Sequence, residues 1–322
     1  MRARRVIGQR NLFHAIMQAT RNEYVMLLPS IEATRLALAD HAYVADVGLA
    51  TSLFLALKMG KALLLEGEPG VGKTEVAKVL SRMFNAPLIR LQCYEGIDIT
   101  QAVYEWNYPR QLLELQARRT RPDDETTTAH LYTEAFLLKR PLLQAIDQAH
   151  DASPVLLIDE LDRADEEFES FLLELLSDFQ ISIPELGTLR AKHRPMVIIT
   201  SNRTRELHDA LKRRCVYHWI DYPSREKEIE IVCLKAPGIS ERLAAQVVDF
   251  VQATRRQDLT KNPGVAETLD WVEALAHLSV TELNHEVVQA TLGIILKYQD
   301  DVDKLRGPLA GTLLDQVGGR GD

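Results

Sequence analysis

The run Ala62-Leu63-Leu64-Leu65-Glu66 passes straight into Gly67-Glu68-Pro69-Gly70-Val71-Gly72-Lys73-Thr74, and no other stretch limits the possible folds so tightly. A short apolar run that breaks into a glycine-rich turn and resumes with helical spacing reads as strand, loop, helix. The loop fits the pattern G-x-x-x-x-G-K-[ST] in full. Its glycines let successive backbone N–H groups turn inward onto an anion at the start of the following helix. Lys73 then reaches the β- and γ-phosphates, and Thr74 offers its hydroxyl to Mg²⁺. From Glu75 to Phe84, the residues Val76, Ala77, Val79, Leu80, Met83 and Phe84 place one apolar stripe on a helix. The reading is a nucleoside triphosphate site over Gly67, Glu68, Pro69, Gly70, Val71, Gly72, Lys73, Thr74 and Glu75. Its alternative, a glycine-rich turn without a ligand, is opposed by the flanking strand and helix.

A second apolar run supplies the acids. Ser153-Pro154 introduces Val155-Leu156-Leu157-Ile158, which ends on Asp159-Glu160. A buried parallel strand has this form, and carboxylates at its C-terminal end lie at the sheet edge where ligands bind. Asp159 is the expected Mg²⁺ partner beside Thr74, and Glu160 the group that orients and polarises an attacking water. The competing reading is a helix N-cap followed by a first-turn acid. A further strand, Met196 to Ser201, ends on Asn202, whose amide can hold the water or sense the γ-phosphate; otherwise it is a turn residue. Arg213 and Arg214 precede a short strand, Val216 to Ile220, and read either as a helix C-terminal charge cap or as a reach into a neighbouring subunit's nucleotide.

Composition bounds the rest. The 322 residues are 46% hydrophobic and 26% charged, which suits one large domain and a smaller one. A formal net charge of -8 argues against a chain-wide grip on nucleic acid. Cys93, Cys215 and Cys233 fall in no metal-binding or disulfide spacing, in keeping with a reducing, cytoplasmic setting. No apolar stretch is long enough to span a bilayer, so the expectation is a soluble protein.

Residues 1–30 read as a poorly ordered, Arg-rich extension, and residues 31–223 as an α/β nucleotide-binding domain with an insertion at about 103–138. That insertion carries the acidic run Asp123-Asp124-Glu125 at a solvated tip. Ile181 to Leu189, with Pro184 and Gly187, looks like a hairpin. Residues 224–310 read as a helical domain, and 311–322 as a flexible tail.

In this order the chain resembles an AAA+ ATPase, with Gly67 to Thr74 as Walker A, Leu156 to Glu160 as Walker B, Asn202 as sensor 1, and Arg213 or Arg214 as arginine finger. The sequences Glu66 to Thr74 and Ile158-Asp159-Glu160-Leu161-Asp162-Arg163-Ala164 resemble the MoxR family. Arg90-Leu91-Gln92-Cys93-Tyr94-Glu95-Gly96, Tyr104 to Pro109 and Glu267-Thr268-Leu269-Asp270-Trp271 resemble its CoxD-like group. The resemblance implies a parallel sheet of strand order 5-1-4-3-2 sandwiched by helices, an all-α lid, ATP and Mg²⁺ as cofactors, and a hexameric ring with the nucleotide between subunits. It also implies a von Willebrand factor A domain partner and a client metalloenzyme such as a carbon monoxide dehydrogenase-type molybdenum hydroxylase. One departure is plain: where such proteins place a sensor 2 arginine, this chain reads Gly264-Val265-Ala266-Glu267-Thr268. Arg255, Arg256 and Lys261 are the remaining candidates for that role. The rival readings are a nucleotide-gated scaffold with little turnover and a nucleic-acid-remodelling motor.

Overall fold

The computed structural model describes residues 28–119, 128–147 and 153–318. The extension up to residue 27, the acidic tip at Asp123-Asp124-Glu125 and the last four residues lie outside the described residues.

Among the described residues the strands are β1 (Ala62–Gly67), β2 (Leu88–Gln92), β3 (Tyr104–Trp106), β4 (Leu137–Lys139), β5 (Val155–Asp159), β6 (Gln180–Ile183), β7 (Gly187–Arg190), β8 (Met196–Ser201) and β9 (Cys215–Ile220). The main sheet has the order β2-β5-β8-β1-β9. Counting only its own members along the chain, this is the expected 5-1-4-3-2. The pairs β2–β5, β5–β8 and β8–β1 are parallel. A parallel sheet covered on both faces selects unbroken apolar runs, and Leu63, Leu64, Leu65, Leu156, Leu157 and Ile158 are fully buried. The register brings Glu66 opposite Ser201 and Ile158 opposite Ile199, so β1, β5 and β8 end on one edge.

Contacts divide the chain into two compact units. The first holds residues 47–66 and 74–218, together with the chain before 38. Its helix Glu166–Asp178 starts at Asp165, whose carboxylate accepts the Phe168 N–H at 2.8 Å. That helix buries Phe168, Leu172, Leu175 and Leu176, then passes through Phe179 into the β6–β7 hairpin. In the region read as an insertion, β3 and β4 pair antiparallel, with Trp106 opposite Leu137. Three-residue strands carry too little periodicity to be recognised from sequence, which is why this pairing was not foreseen.

The second unit holds residues 38–46, 67–73 and 219–322. Helices Arg225–Lys235, Glu241–Thr254 and His285–Ile295 are capped by Ser224, Ser240 and Asn284. Trp271, on helix Val265–His277, is fully buried against Phe250 and donates its indole N–H to the Thr291 hydroxyl at 2.8 Å. Of the expected flexible tail over 311–322, the part up to Gly318 is helical, and the rest lies outside the described residues. Residues Pro308–Gly318 form a helix, because Leu309, Ala310, Leu313 and Leu314 share one face and pack into the core of this unit.

Candidate functional site

Asp159 closes β5 with its carboxylate only 3% exposed, and both of its oxygens are engaged. Oδ1 accepts the Thr74 hydroxyl at 3.0 Å and the Thr200 hydroxyl at 2.6 Å. Oδ2 accepts Arg90 Nε at 3.1 Å and Arg90 Nη2 at 2.6 Å. The Thr200 oxygen also receives the backbone N–H of Glu160 at 2.9 Å, so one hydroxyl donates to the first acid and fixes the backbone of the second. Glu160 holds φ 55 and ψ 49, a left-handed conformation that costs a residue with a Cβ about 1 kcal/mol or more. Its carboxylate is one-third exposed and faces Arg163 Nε at 3.4 Å. Glu160 stands at the N-cap position of the 3-10 turn Leu161–Arg163 but makes no side-chain cap bond there, whereas Asp165 caps helix Glu166–Asp178 with its carboxylate.

Asn202 follows β8, and its position is fixed from below. Buried Asp162 accepts the backbone N–H of Asn202 at 3.1 Å, the N–H of Thr204 at 2.8 Å and the Thr204 hydroxyl at 2.7 Å. Seven residues after Asp162, buried Glu169 accepts the His208 N–H at 2.8 Å and pairs with Arg205. Two carboxylates from the 162–169 stretch therefore hold the 202–208 loop. The two arginines separate. Arg214 donates to the Ser177 hydroxyl at 2.6 Å and to the Ala210 carbonyl at 2.9 Å, whereas the Arg213 side chain is exposed and has no ion-pair partner among the described residues.

Cys93, whose N–H is bonded to the Asp159 carbonyl at 2.9 Å, lies beside the acids. Burial pushes its thiol up to about 12, with the charges of Asp159, Asp162 and Glu160 adding to the effect. Its buried thiol therefore favours the neutral form at ordinary pH.

The phosphate loop belongs to the second unit. Lys73 is 6% exposed, and its ammonium donates to the carbonyls of Gly67 at 2.7 Å and Glu68 at 2.8 Å. Gly70 has φ 79, open to glycine and strained for other residues. Gly264 packs on it so closely that a Cβ at 264 would lie 2.8 Å from the Pro69 carbonyl oxygen and 2.9 Å from the Gly70 Cα. The Ala266 N–H, an otherwise unpaired donor in the first turn of helix Val265–His277, bonds the Gly70 carbonyl at 3.1 Å. The segment expected to lack a sensor 2 arginine is thus joined to the phosphate loop through its backbone. Arg255 is committed elsewhere: it grips fully buried Glu228 with two bonds of 2.7 Å, donates to the Pro263 carbonyl and lies 4.6 Å from the Tyr222 ring centroid. Arg256 and Lys261 are exposed.

Thr74 and Asp159 bring hard oxygen donors together, as Mg²⁺ requires. Among the described residues no group of three His, Cys, Asp or Glu side chains could hold a metal ion. The donor set fits a Mg²⁺ that takes its remaining ligands from phosphate and water.

Residues 62–215 match the family model of the AAA domain, dynein-related subfamily. This stretch is similar to AAA domains of that subfamily. The chain that carries it is 26% identical over 271 residues to the uncharacterized protein YojN of Bacillus subtilis, covering 80% of each. It is 24% identical over 229 residues to the uncharacterized protein SERP0979 of Staphylococcus epidermidis, covering 69% of this chain and 78% of that one. Among solved structures, the Thermotoga maritima RuvB Holliday junction branch migration motor is 18% identical and gives a TM-score of 0.42, covering 84% of this chain and 79% of its own. Within the matched stretch, Thr74, Asp159 and Glu160 follow from the sequence, while Thr200, Arg90 and Asp162 have no role assigned there. Thr200 left one signal, a hydroxyl near the end of an apolar strand. Arg90 left another, a charge in the middle of one.

Among the described residues no helix is long and apolar enough to cross a membrane.

Proposed function

We propose that this chain is a Mg²⁺-dependent ATPase of the MoxR type, CoxD-like group, working as a hexameric cytoplasmic chaperone. Its action would be to remodel or mature a client metalloenzyme together with a von Willebrand factor A domain partner. The observation that carries the catalytic part is the joined set Thr74–Asp159–Thr200–Glu160, in which a metal-type donor pair and a general-base-type acid share one hydroxyl.

In this reading Lys73 and the loop N–H groups bind the β- and γ-phosphates. Thr74 and Asp159 hold Mg²⁺, which supplies charge neutralisation across the phosphates. Glu160, set by its left-handed backbone, orients the water for in-line attack on the γ-phosphate and takes up its proton. Asn202 senses the γ-phosphate from the loop that Asp162 holds. Exposed Arg213 supports the role of a finger reaching a neighbouring nucleotide better than Arg214, which is tied to Ser177 and Ala210. Loss of the γ-phosphate would reach a client through helix Glu166–Asp178 and the β6–β7 hairpin.

The test is the ATPase rate and mass of the full chain across a concentration series, beside Arg213→Ala and Arg214→Ala. Rate and assembly rising together, with Arg213→Ala assembling but inactive, supports the reading. A monomer that hydrolyses equally well overturns the ring and the finger. A second reading, a nucleotide-gated scaffold with little turnover, draws on the Gly264–Glu267 segment, where backbone contact to Gly70 stands in place of an arginine. Slow turnover that no partner protein stimulates would favour it.

A further inference from the structure

Arg90 sits at the centre of β2 with its side chain 51% exposed, yet its guanidinium covers one oxygen of a carboxylate that is 3% exposed. Arg90 reaches in from solvent, more openly than Arg225 on Asp249 at 41% and 9% exposure or Arg205 on Glu169 at 30% and 1%, and unlike Arg255, which is buried with Glu228 at 7% and 0%. Arg90 Nη2 has a second acceptor, Gln92 Oε1 at 2.5 Å, two residues along the same strand and so on the same face. The β2–β5 register places Gln92 directly opposite Asp159. The guanidinium can therefore leave Asp159 without losing every partner, because Gln92 gives it a resting place.

A divalent cation beside Thr74 and Asp159 would meet this positive charge at close range. Like charges a few ångströms apart in a partly buried setting repel strongly. Guanidinium side chains keep their charge in folded proteins, so proton loss offers no relief. Only movement does.

We propose that Arg90 is a gate on the divalent-metal position: it occupies Asp159 Oδ2 in the absence of Mg²⁺ and swings toward Gln92 and solvent when the metal binds with nucleotide. The inference rests on the nucleotide reading given above. Arg90 is then a positioning residue that sets how much Mg²⁺ contributes to nucleotide affinity, and it keeps the Asp159 charge compensated in between. The reading makes the metal dependence of binding, more than binding itself, the property that Arg90 controls.

The experiment is calorimetric titration of the full chain with ADP, once in Mg²⁺ and once in EDTA, for the wild type, Arg90→Gln and Arg90→Lys. The ratio of the two affinities measures the coupling between metal and nucleotide. The expected result is a ratio that rises roughly tenfold in Arg90→Gln, with a smaller rise in Arg90→Lys and the EDTA affinity unchanged. A ratio equal to that of the wild type in both variants overturns the gate. A fall in EDTA affinity overturns it differently, since Arg90 would then be touching phosphate. Arg90→Lys keeps a charge on the strand and so guards against a folding defect in the neutral variant. If the wild type binds ADP in neither buffer, the nucleotide reading itself falls, a result distinct from all of these.

Discussion

The Thr200 hydroxyl lies 2.6 Å from Asp159 Oδ1, and because it also receives the Glu160 N–H, a strand-end threonine sets the geometry of two acids at once. Thr200→Val keeps the shape of the side chain and removes both bonds. The part-buried Glu160 N–H then loses its acceptor, which costs about 1 kcal/mol of stability. The expected phenotype is a lowered thermal midpoint with ATP turnover reduced at least tenfold and nucleotide affinity in EDTA retained. Calorimetry beside single-turnover rates checks it, and wild-type turnover in this variant would remove Thr200 from the machinery.

Lys73→Ala and Glu160→Gln should fail in different ways. Without its ammonium the loop has no charged partner for the β- and γ-phosphates, so binding of ATP is expected to fall below detection. Glu160→Gln keeps size and the left-handed backbone but removes the base, so ATP should bind near wild-type strength while turnover drops by roughly a hundredfold or more. Fluorescent-nucleotide binding alongside phosphate release separates the two, and normal turnover in either variant would sink its assigned role.

Gly264→Ala is a small change at a crowded place. Its Cβ would press on backbone atoms of Pro69 and Gly70, and neither can yield as a flexible side chain would. The loop or the first turn of helix Val265–His277 must shift. Nucleotide affinity is expected to fall by roughly tenfold, with the Ala266 amide exchanging faster. Unchanged affinity together with unchanged amide protection would show that this backbone contact does not couple the helix to the loop.

The thiols give a pH prediction. Burial raises both Cys93 and Cys215 to about 12. In the unfolded chain a thiol ionises near 8.5, so above that pH the unfolded state loses protons first. The stability contributed by the two neutral thiols is complete below about pH 8.5 and declines as pH rises toward 12. In the native protein at pH 8, a thiol reagent should label Cys233, the partly exposed one, well before the other two. Rapid labelling of Cys93 in Cys233→Ser would contradict the burial of that side chain.

Much of the main sheet was legible because its strands are continuous apolar runs and its loop carries a full motif. Asp159 and Glu160 were legible for the same reason, lying where an apolar run stops. Arg90 and Asp162 were not. Arg90 finds Asp159 through the β2–β5 register, and Asp162 meets Asn202 and Thr204 across some forty residues of chain, so neither partner is implied by local spacing. The helix Pro308–Gly318 was not legible because its apolar face is short and lies beside the glycine-rich end of the chain.

Helix Glu166–Asp178 begins four residues after Asp162 and ends next to the β6–β7 hairpin. With 13 residues it is about 20 Å long. In the proposed function it would serve as a lever. A tilt of about 10° at its capped end would carry the far end by about 3 Å at this length. An adjustment of the Glu160 turn too small to disturb the sheet would then become, at Ile183 and Gly187, a stroke comparable to the spacing between touching side chains.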